Sequence, residues 1–135
     1  MRNNLRLIAA LLSLALCGEW NASAQNPEKD PSKTIQGNGT VLINTTTLCK
    51  DVEGFMGPTP VEIRIRKDTI INITPLANEE TPGYFNEAVT ILKKWIGLTP
   101  AKGLELEVDA VSGATFSSKA LIENVRAGLQ RAMRE

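Results

Sequence analysis

Apolar and polar residues alternate in the middle of the chain. Residues 61–66 pair valine or isoleucine with glutamate or arginine at every second position, the period of a strand with one dry and one wet face. A two-residue break separates them from a second stretch, residues 69–74, rich in isoleucine and threonine. We therefore predict an antiparallel hairpin, preceded by a β-branched strand over residues 40–48.

Two later stretches have the apolar spacing of helices. We predict a helix over residues 84–96, with Trp95 in the core, and a second over residues 119–133, capped by Ser117 or Ser118. The apolar positions are Phe85, Ala88, Val89, Leu92, Trp95 and Ile96 in the first helix and Leu121, Ile122, Val125 and Leu129 in the second.

The order of these elements predicts the fold class. Residues 104–108 alternate again and predict one more strand between the two helices. A hairpin, a helix, a strand and a helix in succession are typical of an α+β fold, with helices packed on a mainly antiparallel sheet. The 135 residues suffice for a single small domain, which we place at residues 40–135. Residues 25–39 combine proline, glycine and polar residues and predict a flexible leader.

The first 24 residues predict a signal peptide. Arg2 and Arg6 precede a short apolar run, and residues 22–24 are the small residues that a signal peptidase accepts. We therefore expect an exported chain, in the periplasm or another extracytoplasmic space. An uncleaved signal, or one lipidated at Cys17, would instead leave the chain associated with the membrane.

Composition excludes several kinds of function. Lysine plus arginine equal aspartate plus glutamate at 15 each, so we expect no nucleic-acid partner. The chain has no histidine, the commonest general base and a common zinc ligand. We therefore predict no catalytic residue and no metal site, and an independent enzyme is the weaker hypothesis. Without the signal, Cys49 is the only cysteine; its default role is a small buried hydrophobe, and a redox thiol is the alternative.

Hydroxyl-bearing and small residues are concentrated in residues 109–118, just before the last predicted helix. The first N–H groups of a helix have no partner within the helix and attract phosphate through hydrogen bonds and the helix dipole. An ordinary turn with serine caps would have the same composition. Composition alone favours the ordinary turn.

The segment nonetheless resembles the flavinylation motif of the FMN-binding domain family. This family includes the C and G subunits of sodium-pumping quinone reductases and Rnf electron-transport complexes. The positions that match the motif are Asp109, Ser112, Gly113, Ala114 and Thr115. The resemblance implies an FMN cofactor, which a flavin transferase moves from FAD to the hydroxyl of Thr115, leaving a phosphoester bond.

A second resemblance lies upstream, at the family's Glu-Thr-Pro-Gly loop. The matching residues are Glu80, Thr81, Pro82 and Gly83, and residues 54–58 resemble the glycine and aromatic turn that opens the domain. The resemblance implies that this loop lies against the isoalloxazine ring and that its backbone amides bond the ring edge. Glu80 would either set a charge near the flavin or hold the loop.

Two positions depart from the family pattern. Asn78 stands where members often have histidine, and Ser117 stands where they have threonine two residues beyond the acceptor. Both replacements keep hydrogen-bonding capacity.

Two functions therefore remain open. The first is an electron carrier with covalent FMN, which accepts electrons from a membrane redox partner and passes them to an extracytoplasmic reductase or acceptor. The second is a module that binds FMN non-covalently, or that has lost flavin and serves in ligand binding or protein interaction.

Overall fold

A computed structural model of the chain describes residues 30–135, of which Pro31–Glu135 form one compact unit. The predicted signal peptide, residues 1–24, lies outside the described residues. The strands are β1 (Lys33–Ile35), β2 (Val41–Asn44), β3 (Val61–Arg66) and β4 (Thr69–Pro75). The helices are α1 (Pro82–Val89), a 3-10 helix (Thr90–Trp95), α2 (Pro100–Glu105) and α3 (Thr115–Ala132). The α+β fold class is confirmed.

The sheet is an antiparallel meander in the order β1-β2-β3-β4. The predicted hairpin is formed by β3 and β4, and the alternating apolar residues of β3 are buried. In β4 the alternation is interrupted because the register shifts between Arg64 and Ile65. Ile71 is the extra residue of this bulge and is exposed, so Ile70 and Ile73 both reach the core although they are three positions apart.

The predicted helix over residues 84–96 is present as α1 and the 3-10 helix. Phe85, Ala88, Leu92 and Trp95 are buried, as their spacing predicted, whereas Ile96 lies beyond the end of the 3-10 helix and is exposed. The indole N–H of Trp95 donates to the carbonyl of Gly103 at 3.0 Å, so this large side chain leaves no buried donor unpaired. Trp95 is therefore a core residue.

The predicted strand over residues 104–108 is wrong. Residues 100–105 form α2, because Pro100 suits a first helical position and the hydroxyl of Thr99 accepts from the backbone N–H of Lys102 at 3.2 Å. Residues 106–110 then run without regular structure. Leu106 and Val108 are half-buried and pack on the core, so the alternation reflects one-sided packing rather than a ladder.

The predicted flexible leader, residues 25–39, differs from the structure at β1. Residues 33–35 pair with β2, and the ammonium of Lys33 donates to the carbonyls of Ala132 and Arg134 at 3.3 and 2.6 Å. These carbonyls lie at the end of α3, where a cation is favourable. The ordered fold therefore begins before residue 40. Within residues 30–135, every helix is too short or too polar to span a lipid bilayer.

Helix α3 lies very close to the sheet. A Cβ on Gly128 would be 2.5 Å from Cδ1 of Ile63 and 3.0 Å from Cγ2 of Thr45. Asn124 lies in the same helix and its side-chain amide is buried. The amide oxygen accepts from the hydroxyl of Thr45 at 2.6 Å, and the amide nitrogen donates to the carbonyl of Ala120 at 2.9 Å. Shape and hydrogen bonding thus both fix this helix on β2 and β3.

Substitution of Gly128 tests this contact. We expect Gly128→Val to lower the free energy of unfolding by about 2–3 kcal/mol, because its side chain has no room against Ile63. Gly37→Val is the control, since a Cβ at Gly37 meets nothing within 4 Å. Denaturant unfolding measures both variants, and equal losses would contradict the close approach.

Cys49 is buried, in agreement with its default interpretation. Burial, with a smaller contribution from the negative charge of Glu123, raises the pKa of the Cys49 thiol above its ordinary value of 9.0. A thiol with a raised pKa exists as the inert protonated form at neutral pH. The redox alternative is therefore not favoured by its surroundings.

Thiol reactivity tests this conclusion in a chain with Cys17→Ala, which leaves Cys49 as the only cysteine. We expect iodoacetamide at pH 8 to modify the native protein more slowly than the unfolded protein, by a factor of about ten or more. The pKa of the Cys49 thiol is raised in the native state, so its contribution to the free energy of unfolding is complete at pH values below the pKa of the unfolded state. That contribution is lost as the pH rises through the pKa of the native state. Equal rates in the native and unfolded states would show that Cys49 is accessible.

Candidate functional site

Three separate segments of the chain meet around one cavity of about 390 Å³. They are the turn after Gly54, the start of α1 and the start of α3. The lining residues are Phe55, Glu80, Thr81, Tyr84, Gly113, Ala114, Thr115, Phe116 and Ser117. This volume lies within the range of small-molecule sites.

A second cavity of about 310 Å³ adjoins the first and shares Tyr84, Gly113 and Ala114 with it. Gly83, Glu87 and Ser112 complete its lining. The structure therefore brings together the two motifs found in the sequence, which lie some thirty residues apart along the chain.

Two residues of the motifs are placed differently. Asp109 is exposed and lines neither cavity. Pro82 also lines neither cavity and occupies the first turn of α1, where its fixed φ suits the helix. Neither residue therefore forms part of a cavity wall.

Helix α3 begins at Thr115, four residues earlier than predicted, and no side chain caps it. The prediction that Ser117 or Ser118 is the cap is wrong, because both lie within the first turn and are buried. Thr115 is exposed on the cavity wall. The first-turn N–H groups thus remain available for an acidic ligand beside the Thr115 hydroxyl.

Ser118 instead holds the turn that precedes the helix. Its hydroxyl accepts from the backbone N–H of Val111 at 3.0 Å and donates to the carbonyl of Ala114 at 2.7 Å. Gly113 lies within this turn at a φ of 84°, a conformation that favours glycine. The hydroxyl of Ser118 therefore holds both ends of the segment from Val111 to Ala114.

Glu80 connects the remaining parts of the site. Its carboxylate is buried and accepts three hydrogen bonds, from the backbone N–H groups of Phe55 and Met56 and from the hydroxyl of Ser117. Asn78 holds the Glu80 backbone, since its side-chain oxygen accepts from the Glu80 N–H at 3.0 Å. Of the two roles considered for Glu80, these contacts support holding the loop.

Aromatic side chains surround the first cavity and remain open to solvent. Phe55, Tyr84 and Phe116 are 66%, 62% and 64% exposed. The ring centroids of Phe55 and Phe116 are 6.2 Å apart. Sequence reasoning noted the aromatic turn at Phe55 but missed Tyr84 and Phe116. The sequence could have indicated both residues. Each directly follows a motif, and neither occupies a core position of its helix.

The charges around the cavities are few. Within residues 30–135, the side chains that line them include the carboxylates of Glu80 and Glu87 but no lysine or arginine. Among residues 30–135, no group of three histidine, cysteine, aspartate or glutamate side chains is arranged to hold a metal ion. A phosphate at this site would therefore depend on backbone N–H groups and the dipole of α3.

Comparison with known proteins identifies the family of the chain. A family model for the FMN-binding domain matches residues 54–130, more than half of the 135-residue chain. No curated protein and no solved structure matches. The matched range contains every residue that lines the two cavities. The chain therefore belongs to the FMN-binding domain family, and FMN is its cofactor.

Proposed function

We propose that FMN is attached through a phosphoester bond to Oγ1 of Thr115 and that the chain is an electron carrier outside the cytoplasm. The observation that carries this proposal is the position of Thr115. Its exposed hydroxyl lies at the uncapped start of α3 and on the wall of the aromatic cavity. A phosphate on this hydroxyl would lie beside the first N–H groups of the helix.

The absence of basic lining residues favours a covalent bond. A free phosphate monoester carries a charge of about −1.5 to −2 at neutral pH and is commonly held by arginine or lysine. In the part of the chain that the structure describes, neither residue lines the two cavities. A diester on Thr115 would carry less negative charge, and the covalent bond would retain the cofactor without a salt bridge.

The cavity also suits the isoalloxazine ring. Phe55, Tyr84 and Phe116 would provide flat apolar surfaces for it, and the start of α1 would approach its edge. Bound FMN supplies the redox chemistry, taking up and releasing electrons. The high exposure of the three aromatic side chains would leave one side of the ring accessible to a redox partner.

The attachment step requires a partner enzyme. Oγ1 of Thr115 forms a bond to the FMN phosphorus of FAD, the pyrophosphate bond breaks, and AMP leaves. The hydroxyl proton needs a base. Glu80 is engaged in three hydrogen bonds, so we assign the base to the flavin transferase.

Export and redox partners complete the proposal. The charged start, apolar run and small residues of positions 1–24 support export to the periplasm or another extracytoplasmic space. There the chain would accept electrons from a membrane redox partner and pass them to an extracytoplasmic reductase. Covalent attachment suits this location, because a dissociated cofactor is not readily replaced there.

Flavinylation at Thr115 is tested by intact mass after co-expression with a flavin transferase. We expect a gain of one FMN less one water and a yellow colour that survives denaturation. Thr115→Ala should abolish both, because it removes the acceptor oxygen. Thr115→Ser, which keeps a hydroxyl, and Thr46→Ala, which removes an exposed threonine that lines neither cavity, are the controls.

Two outcomes would contradict covalent attachment. A yellow protein that loses its colour on denaturation, without a mass gain, would indicate non-covalent FMN. A colourless chain in the presence of active transferase would leave a flavin-free binding or interaction module. Cell fractionation of the full chain tests export separately, and retention in the cytoplasm would refute that part of the proposal.

A further inference from the structure

Both oxygens of the buried Glu80 carboxylate accept hydrogen bonds from the protein. Oε1 accepts from the Phe55 N–H at 2.8 Å and from the Ser117 hydroxyl at 2.9 Å, and Oε2 accepts from the Met56 N–H at 2.6 Å. Glu80 is only 7% exposed. Hydrogen bonds to a charged acceptor are the stronger kind, so this group joins its donors firmly.

These donors belong to two segments that are distant in sequence. Phe55 and Met56 lie in the turn after Gly54, whereas Ser117 lies in the first turn of α3, two residues after Thr115. The ring contact between Phe55 and Phe116 crosses the same junction. One carboxylate thus sets the position of an aromatic wall relative to Thr115.

The turn is shaped to admit this carboxylate. A Cβ at Gly54 would overlap Oε1 of Glu80. The backbone N–H of Gly54 donates to the carbonyl of Gly57 at 2.8 Å, which closes the turn behind the two donors. Glycine at position 54 is therefore a requirement of the Glu80 contact.

We propose that Glu80 is a positioning residue that forms the flavin pocket before FMN is attached, by joining the turn at residues 54–57 to the start of α3. It acts through Phe55, Phe116 and Ser117, whose positions it fixes. This inference rests on the proposed function for its consequence, which is shielding of the isoalloxazine ring. The joined segments themselves are independent of the cofactor.

The chemistry requires a carboxylate at this position. All three partners are donors, and a glutamine has only one acceptor oxygen. Its amide N–H₂ would face either the Met56 N–H or the Phe55 N–H, and one backbone donor would lose its acceptor. Glu80→Gln therefore releases the turn while it changes the shape of the side chain very little.

Flavin shielding in Glu80→Gln tests the proposal on the flavinylated chain. We expect iodide to quench the flavin fluorescence severalfold more strongly than in wild type and the visible circular dichroism of the flavin to weaken. Glu79→Gln, which removes the same charge from an exposed neighbouring residue, should behave as wild type. Unchanged shielding and dichroism in flavinylated Glu80→Gln would overturn the proposal.

Two further variants keep the test decisive if Glu80→Gln does not fold. Ser117→Ala removes one of the three donors and should increase quenching partially, whereas Ser117→Thr keeps a hydroxyl and should restore shielding. Gly54→Ala should resemble Glu80→Gln because it displaces the carboxylate, and Gly37→Ala, in open space, is its control. Shielding equal to wild type in both Ser117→Ala and Gly54→Ala would refute the role of Glu80.

A measurement on the chain without FMN separates this inference from the proposed function. The amides of Phe55 and Met56 should be protected from hydrogen exchange in wild type and exposed in Glu80→Gln, while the amide of Ile63 in the central sheet stays protected. Equal protection in both proteins would overturn the inference. A wild-type chain that accepts no FMN, with this protection intact, would refute only the proposed function.

Discussion

The close contact between α3 and the sheet determines where the candidate site lies. At Gly128 the helix reaches Ile63 directly, and the buried bond between Asn124 and Thr45 fixes its rotation. Thr115 begins the same helix, about three and a half turns before Gly128. Because a helix is stiff over this length, packing in the core sets the position of the exposed hydroxyl. The position of the site therefore depends on packing and hydrogen bonding in the core.

Local patterns predicted the elements whose partners are close in sequence. The β3–β4 hairpin follows from alternation and a two-residue turn, and the buried face of α1 follows from its spacing. Two of the predictions that failed concern residues whose partners are distant. Ser117 could serve equally as a helix cap or as a tertiary donor, and its partner Glu80 lies 37 residues away. Similarly, β1 gains order from the end of α3, which its own sequence does not reveal.

Family resemblance located the site more sharply than composition did, but it did not distinguish the tasks of the residues. Thr115 is exposed on a cavity wall, Glu80 is buried among protein donors, and Asp109 lines neither cavity, although all three match motif positions. These differences follow from the burial and hydrogen bonding of each side chain. A sequence motif therefore indicates which residues lie near the site, and the contacts of each side chain indicate what that residue does there.

The two ends of α3 have different contacts. Lys33 is bound to the carbonyls at the end of this helix, and Thr115 begins it. Eighteen residues of helix make a rod of about 27 Å. A group attached to Thr115 is thus held a full rod length from the place where the chain enters the sheet.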